Sequence, residues 1–98
     1  MSDESQIEIP PSFIALFVPP GRSKPNASRE QIAERYEFCE DLAQLLQERA
    51  ATTMWELGIE KSDVLARMAA ALDDAGTGVD APQAQWVLCR LDELLELR

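Results

Sequence analysis

From residue 28 onward, the apolar positions recur at spacings of three and four. Ile32, Tyr36, Cys39, Leu42, Ala43, Leu46, Ala50, Met54 and Leu57 fall on one face of a long helix, because 3.6 residues per turn bring such positions into line. Ser28-Arg29-Glu30-Gln31 supplies its start. The serine hydroxyl accepts from the amide three residues on, and the glutamine side chain reaches back. Gly58 supplies its end, as the residue type that enters the left-handed conformation of a helix C-terminus at least cost. Ala51-Thr52-Thr53 is the weakest stretch, since β-branched threonine loses rotamers in a helix, and a bend or break is expected there.

A second stripe, Val64, Leu65, Met68, Ala69 and Leu72, follows the apolar Ile59 and the opening Glu60-Lys61-Ser62-Asp63, which puts carboxylates near a positive helix end. Asp73-Asp74-Ala75-Gly76-Thr77-Gly78 closes it. Asp80 then caps a third helix, with Pro82 in its first turn and Gln83 at the capping-box position, and its stripe is Trp86, Val87, Leu91, Leu94 and Leu95. Upstream the pattern differs. Residues 9–21 form a short apolar segment bracketed by Pro10-Pro11 and Pro19-Pro20, which limits any helix there to about two turns and leaves a short strand as the alternative. Phe13, Ile14, Leu16, Phe17 and Val18 are too apolar to leave in water, at about 1.5–3 kcal/mol per large side chain. Residues 1–8 are polar, acidic and aperiodic, predicting a disordered acidic tail ahead of a single helical domain over 9–98. The expected fold is all-α: a small three-helix domain with a long first helix, plus an apolar N-terminal arm or short extra helix.

Charge narrows the partners. Eighteen Asp and Glu against nine Lys and Arg leave a net charge of −9, which phosphate backbones and anionic membranes repel, so nucleic-acid binding is disfavoured. No apolar run is long enough to span a bilayer. The acidic N-terminus lacks the positive charge of a signal peptide, and the expected location is cytoplasmic. Cys39 and Cys89 would then be reduced, each at a helical position suited to core packing.

The chain contains no histidine, the commonest neutral-pH base and metal ligand. Serine, threonine or cysteine nucleophiles therefore lack an imidazole to activate them. Zinc would have two cysteines without Cys-x-x-Cys spacing. Gly21-Arg22-Ser23-Lys24 has neither the second glycine nor the Lys-Ser or Lys-Thr pair of a phosphate loop. Glu30, Glu34, Glu37 and Asp41 recur at helical spacing, a pattern that suits a solvated face better than a cation or acid/base site. No catalytic, cofactor-binding or metal-ligating residue is assigned.

What remains are surfaces. No acidic residue lies between Glu8 and Glu30, while Arg22, Lys24 and Arg29 fall in that stretch, making a basic loop able to meet an anionic partner. Trp86 belongs to the third stripe and is expected in the core. Trp55 lies beside the main face of its helix. If the N-terminal segment folds over that end, the favoured arrangement, Trp55 is core as well; otherwise Phe13, Phe17 and Trp55 form an exposed patch. Should a partner dock, Phe13, Phe17 and Trp55 are the expected anchors, with Arg22 and Lys24 on the rim.

Ile9-Pro10-Pro11-Ser12-Phe13-Ile14-Ala15-Leu16, Arg35-Tyr36-Glu37 with Cys39-Glu40-Asp41-Leu42-Ala43, and Leu57-Gly58-Ile59 followed by Asp63-Val64-Leu65 resemble a family of short proteobacterial proteins labelled "ATPase with chaperone activity". The resemblance spans most of the chain and rests on packing and capping residues. It implies a small bacterial protein linked to a chaperone system through a partner. The expected function is a non-enzymatic protein–protein interaction module, a chaperone-associated adaptor that engages an unidentified protein or a second copy of itself as a homodimer. The alternative is an acidic regulator that mimics nucleic acid toward a basic protein. ATP turnover, as the family label has it, comes third, because these residues supply no nucleotide site.

Overall fold

The computed structural model describes residues 8–97. Among them are four α-helices and no strand: α1 (Pro11–Ile14), α2 (Arg29–Leu57), α3 (Lys61–Leu72) and α4 (Ala81–Glu96). The chain divides into two compact units, one up to Phe38 and one from Cys39 on, the division falling inside α2. Of the acidic tail expected over residues 1–8, all but the exposed Glu8 lies outside the described residues.

In the N-terminal unit the proline-bracketed segment takes the helical option. Pro11 occupies the first turn of α1, where a missing N–H leaves no bond unmade, and Ala15–Phe17 continues as a 3₁₀ turn. Val18 is then extended, as a residue before proline must be. Phe13 is fully buried, with its ring 5.5 Å from Phe17 and 5.6 Å, edge-on, from Tyr36 of α2. Ile9 and Ile32 are buried too. Arg22 N–H donates to Pro19 O at 3.0 Å, and Gly21 has φ +78°, so Pro20-Gly21 forms the centre of a type II turn. The loop returns through Asn26 N–H, which donates to Phe17 O at 2.7 Å.

The capping box at Ser28 is made in both directions: Gln31 N–H to Ser28 Oγ at 3.1 Å, and Ser28 N–H to Gln31 Oε1 at 2.9 Å. The bend expected at Ala51-Thr52-Thr53 does not occur. Thr53 Oγ1 donates to Arg49 O at 2.8 Å, so its hydroxyl is satisfied by the helix's own backbone and α2 continues to Leu57.

The C-terminal unit consists of the second half of α2 with α3 and α4. Cys39, Ala43, Leu46 and Ala50 of α2, Val64, Met68 and Leu72 of α3, and Val87, Leu91 and Leu94 of α4 form its buried core. Gly58 ends α2 with φ +65°, its N–H donating to Met54 O. After α3, Asp74 Oδ1 caps a 3₁₀ turn over Ala75–Thr77, and Gly78 turns the chain at φ +81°. Asp80 Oδ1 then takes Gln83 N–H at 2.8 Å to start α4.

Cross-helix polar contacts fix the directions. Arg90 grips Glu40 through Nε at 2.9 Å and Nη2 at 3.0 Å, and Gln47 Nε2 donates to Leu94 O at 3.1 Å, so α2 and α4 run the same way. α3 runs opposite to both, with Lys61 at its start meeting Asp92 and Glu96 near the end of α4. Burial pushes the Glu40 carboxyl up, but hydrogen bonds from Arg90 and Gln44 outweigh it and hold the group below its ordinary value.

Three core assignments need correction: Trp55, favoured for the core, is 87% exposed, and two residues of α4 are placed otherwise than expected. Cys89 is exposed, because it sits about 200° round α4 from its core neighbours Val87 and Leu91. Trp86 is half-buried at the edge of the core rather than within it. No helix among the described residues is long and apolar enough to cross a membrane.

Candidate functional site

The five expected contact residues separate into three environments. Phe13 is 0% exposed and is not a surface anchor, since Phe17 and Tyr36 enclose it. Phe17 is half-buried beside it. Whether an apolar side chain finds cover depends on which neighbours the fold brings to it, which helix spacing does not specify. Arg22 and Lys24 are both exposed, and together with Pro19, Ser23, Pro25 and Asn26 they line a shallow recess of about 280 Å³ in the N-terminal unit. The type II turn holds Arg22 outward. All these polar groups face water, and nothing in the loop aims a buried donor into the recess.

Trp55 is the outlier. It belongs to the C-terminal unit and is 87% exposed, more than any other large apolar side chain among the described residues. In α2 it lies about 100° or more round from Ala43 and Ala50, the core positions of that helix, so helix geometry turns it away from α3 and α4. It is not isolated. Ala51, Met54, Trp55, Ile59, Leu95 and Lys61 line a recess of about 400 Å³ where the ends of α2 and α4 meet the start of α3. Ile59 reaches it because Gly58 reverses the chain, and Leu95 because it lies one residue past the buried Leu94.

The rim is acidic. Glu56, Glu60 and Glu96 are exposed and stand next in sequence to Trp55, Ile59 and Leu95. Lys61, the cation lining the recess, is bound by Asp92 Oδ1 at 2.7 Å and by Glu96 Oε2. The hydrogen bonds that Lys61 Nζ donates to these two carboxylates raise its pKa above the ordinary lysine value, against a smaller effect of burial. Ile59, Leu95 and the Lys61 triad were not assigned from sequence. Their signals were the apolar residue after the C-cap glycine, and the i,i+4 pair Asp92/Glu96.

Leu45 is exposed as well, but Glu48, Arg49, Thr52, Thr53 and Glu56 surround it, and a single apolar side chain among polar ones is ordinary surface. Glu30, Glu34, Glu37 and Asp41 are all exposed. Among the described residues no group of three or more His, Cys, Asp or Glu is placed to hold a metal ion. The first amides of α2 face their own cap, with Gln31 N–H spent on Ser28 Oγ.

No family model, curated protein or solved structure matches this chain.

Proposed function

We propose that the protein is a non-enzymatic protein–protein interaction module whose contact residue is Trp55, with Met54, Ile59 and Leu95 completing the anchor. The observation that carries this reading is an indole left 87% exposed above an apolar recess, the most exposed of the large apolar side chains among the described residues. Tryptophan is the residue type most enriched among binding hot spots, where truncation costs about 2 kcal/mol or more. A folded chain gains nothing by holding such a group in water. The role as an adaptor attached to a chaperone system follows from the family resemblance and belongs to the same proposal.

The competing reading, an acidic surface standing in for nucleic acid, differs in its response to salt. Apolar contact survives high ionic strength, whereas charge-led binding weakens once the screening length drops to about 3 Å near 1 M salt. The test compares tagged wild-type and Trp55→Ala protein for retention of components from a cell extract at low and high salt, with sedimentation equilibrium of the pure chain alongside. The module reading expects a species held by wild type in high salt, released by Trp55→Ala, and then shown to bind the pure chain directly. A salt-resistant dimer that Trp55→Ala converts to monomer supports the same reading with a second copy as partner. Equal behaviour of the two forms would sink it.

A further inference from the structure

The Trp55 recess has a charge pattern as well as a shape, and the pattern selects its occupant. We infer that it takes a basic, apolar-anchored segment of another protein: one or two large aliphatic side chains entering between Trp55, Met54, Ile59 and Leu95, with Lys or Arg to either side. This deepens the interaction-module reading and rests on it.

Three observations in the C-terminal unit point the same way. Glu56, Glu60 and Glu96 are exposed and adjoin the lining residues Trp55, Ile59 and Leu95 in sequence, Glu56 also bordering the surface around Leu45. Lys61, the cation at the recess, is already held by two carboxylates, Asp92 and Glu96. The C-termini of α2 and α4 both lie at this end, each carrying the partial negative charge of a helix terminus, and neither helix has a basic residue in its last turn. Helices ordinarily place cations at that position. Here the last turn of α4 carries Glu93, paired with Arg90, and Glu96, which shares Lys61 with Asp92, and no cation of its own. Two carboxylates on the single lysine of the recess leave that end with an excess of negative charge.

A second copy of the chain fits this poorly. A two-fold contact sets the same patch against itself. It would bring two acidic rims and four helix C-termini together between molecules of net charge −9 each. A basic segment meets the same surface with complementary charge, which raises the rate of encounter and fixes orientation, while the aliphatic anchor supplies the affinity.

The probe is a synthetic helical peptide of about four turns, with Leu at i, i+3, i+4 and i+7 and Lys elsewhere. Two controls replace Leu by Ala, or Lys by Glu. Binding to the full chain is read by calorimetry, with circular dichroism confirming that each variant stays folded. The Leu/Lys peptide is expected to bind, and each control to bind at least about tenfold more weakly. Trp55→Ala, and separately the pair Glu56→Lys with Glu60→Lys, should each weaken the Leu/Lys peptide by a similar factor. Raising salt from about 0.05 to 0.5 M should weaken it without abolishing it. If the Leu/Glu peptide binds equally well, or if only Trp55→Ala matters, the basic partner is wrong while the module reading stands. If the Ala/Lys peptide binds as well as Leu/Lys and Trp55→Ala changes nothing, both readings fall in favour of charge mimicry. Failure of every peptide to bind, or a salt-resistant dimer dependent on Trp55, also overturns the inference.

Discussion

Replacing Trp55 with alanine separates a binding residue from a folding residue, and the structure fixes how large the separation should be. At 87% exposed, Trp55 buries about an eighth of its surface. A fully buried aromatic side chain removes about 150–250 Å² from water at about 25 cal/mol/Å², so that eighth stabilises by about 0.5–0.8 kcal/mol. Alanine returns a few tenths of a kcal/mol, being the better helix former in the last turn of α2. The net change in unfolding free energy should fall within about ±0.5 kcal/mol. Leu91, in the centre of the same unit and fully buried, provides the contrast. Leu91→Ala should cost about 3–5 kcal/mol from lost transfer energy and the cavity left behind. In a domain of this size, 1 kcal/mol displaces Tm by about 4–8 °C, so the two variants should melt more than about 10 °C apart. Urea titration followed by circular dichroism at 222 nm, at two protein concentrations, measures both. A loss of about 1.5 kcal/mol or more in Trp55→Ala would refute the reasoning. It would mean that the indole is covered in solution, by the chain itself if the loss is independent of concentration and by another copy if it is not.

Three further outcomes are expected. Gly58→Ala should cost about 1 kcal/mol, because φ +65° is strained for any residue with a Cβ while no atom lies within 4 Å of the added methyl; a much larger loss in urea titration would contradict that open space. Arg90→Met should cost about 1 kcal/mol near pH 7, since the two side chains of this two-point ion pair are only partly buried. Glu40 in the wild type is held below its ordinary pKa, so its contribution is present above the unfolded value and lost as pH falls through the folded one. The gap between wild type and Arg90→Met should therefore narrow below about pH 4, and a gap that stays constant from pH 7 to 3 would refute the assignment. Titration of native protein with a thiol reagent should modify Cys89 promptly and Cys39 only as the unit opens, with Cys89→Ser abolishing the fast phase.

The helices were legible because their signals are local. The Ser28–Gln31 box, Gly58 and the Asp80-Ala81-Pro82-Gln83 start each involve residues within four positions, and each has the geometry its residue types imply. Threonine 53 misled for an instructive reason: the same side chain that restricts rotamers can bond its own helix, and the bond prevails. Cys89 was misplaced because a polar helix face tolerates a small thiol as readily as a core does. The ion pairs Glu40–Arg90 and Lys61–Asp92 join residues far apart in sequence, and charge composition alone gave no means of pairing them. For the candidate site, Trp55 was visible as an aromatic off the main stripe. Its exposure was not visible, and neither was the burial of Phe13, because each depends on which segment covers it.

The proline-rich segment ahead of α2 has a consequence for how so small a unit stays ordered. Of six prolines in the chain, Pro10, Pro11, Pro19, Pro20 and Pro25 fall in this stretch. Irregular chain lying over apolar side chains must usually find an acceptor for every amide it removes from water, and an orphan costs about 1–3 kcal/mol. Proline has no amide hydrogen. At five positions the obligation does not arise, and the amides of Phe13, Ile14, Val18, Arg22 and Asn26 meet theirs through carbonyls of the same segment. The fixed φ of each proline also narrows the unfolded ensemble, by about 0.4–1 kcal/mol for each compatible site. Part of this unit's stability is therefore absent from any inventory of its contacts, and belongs to conformations that the unfolded chain is unable to visit.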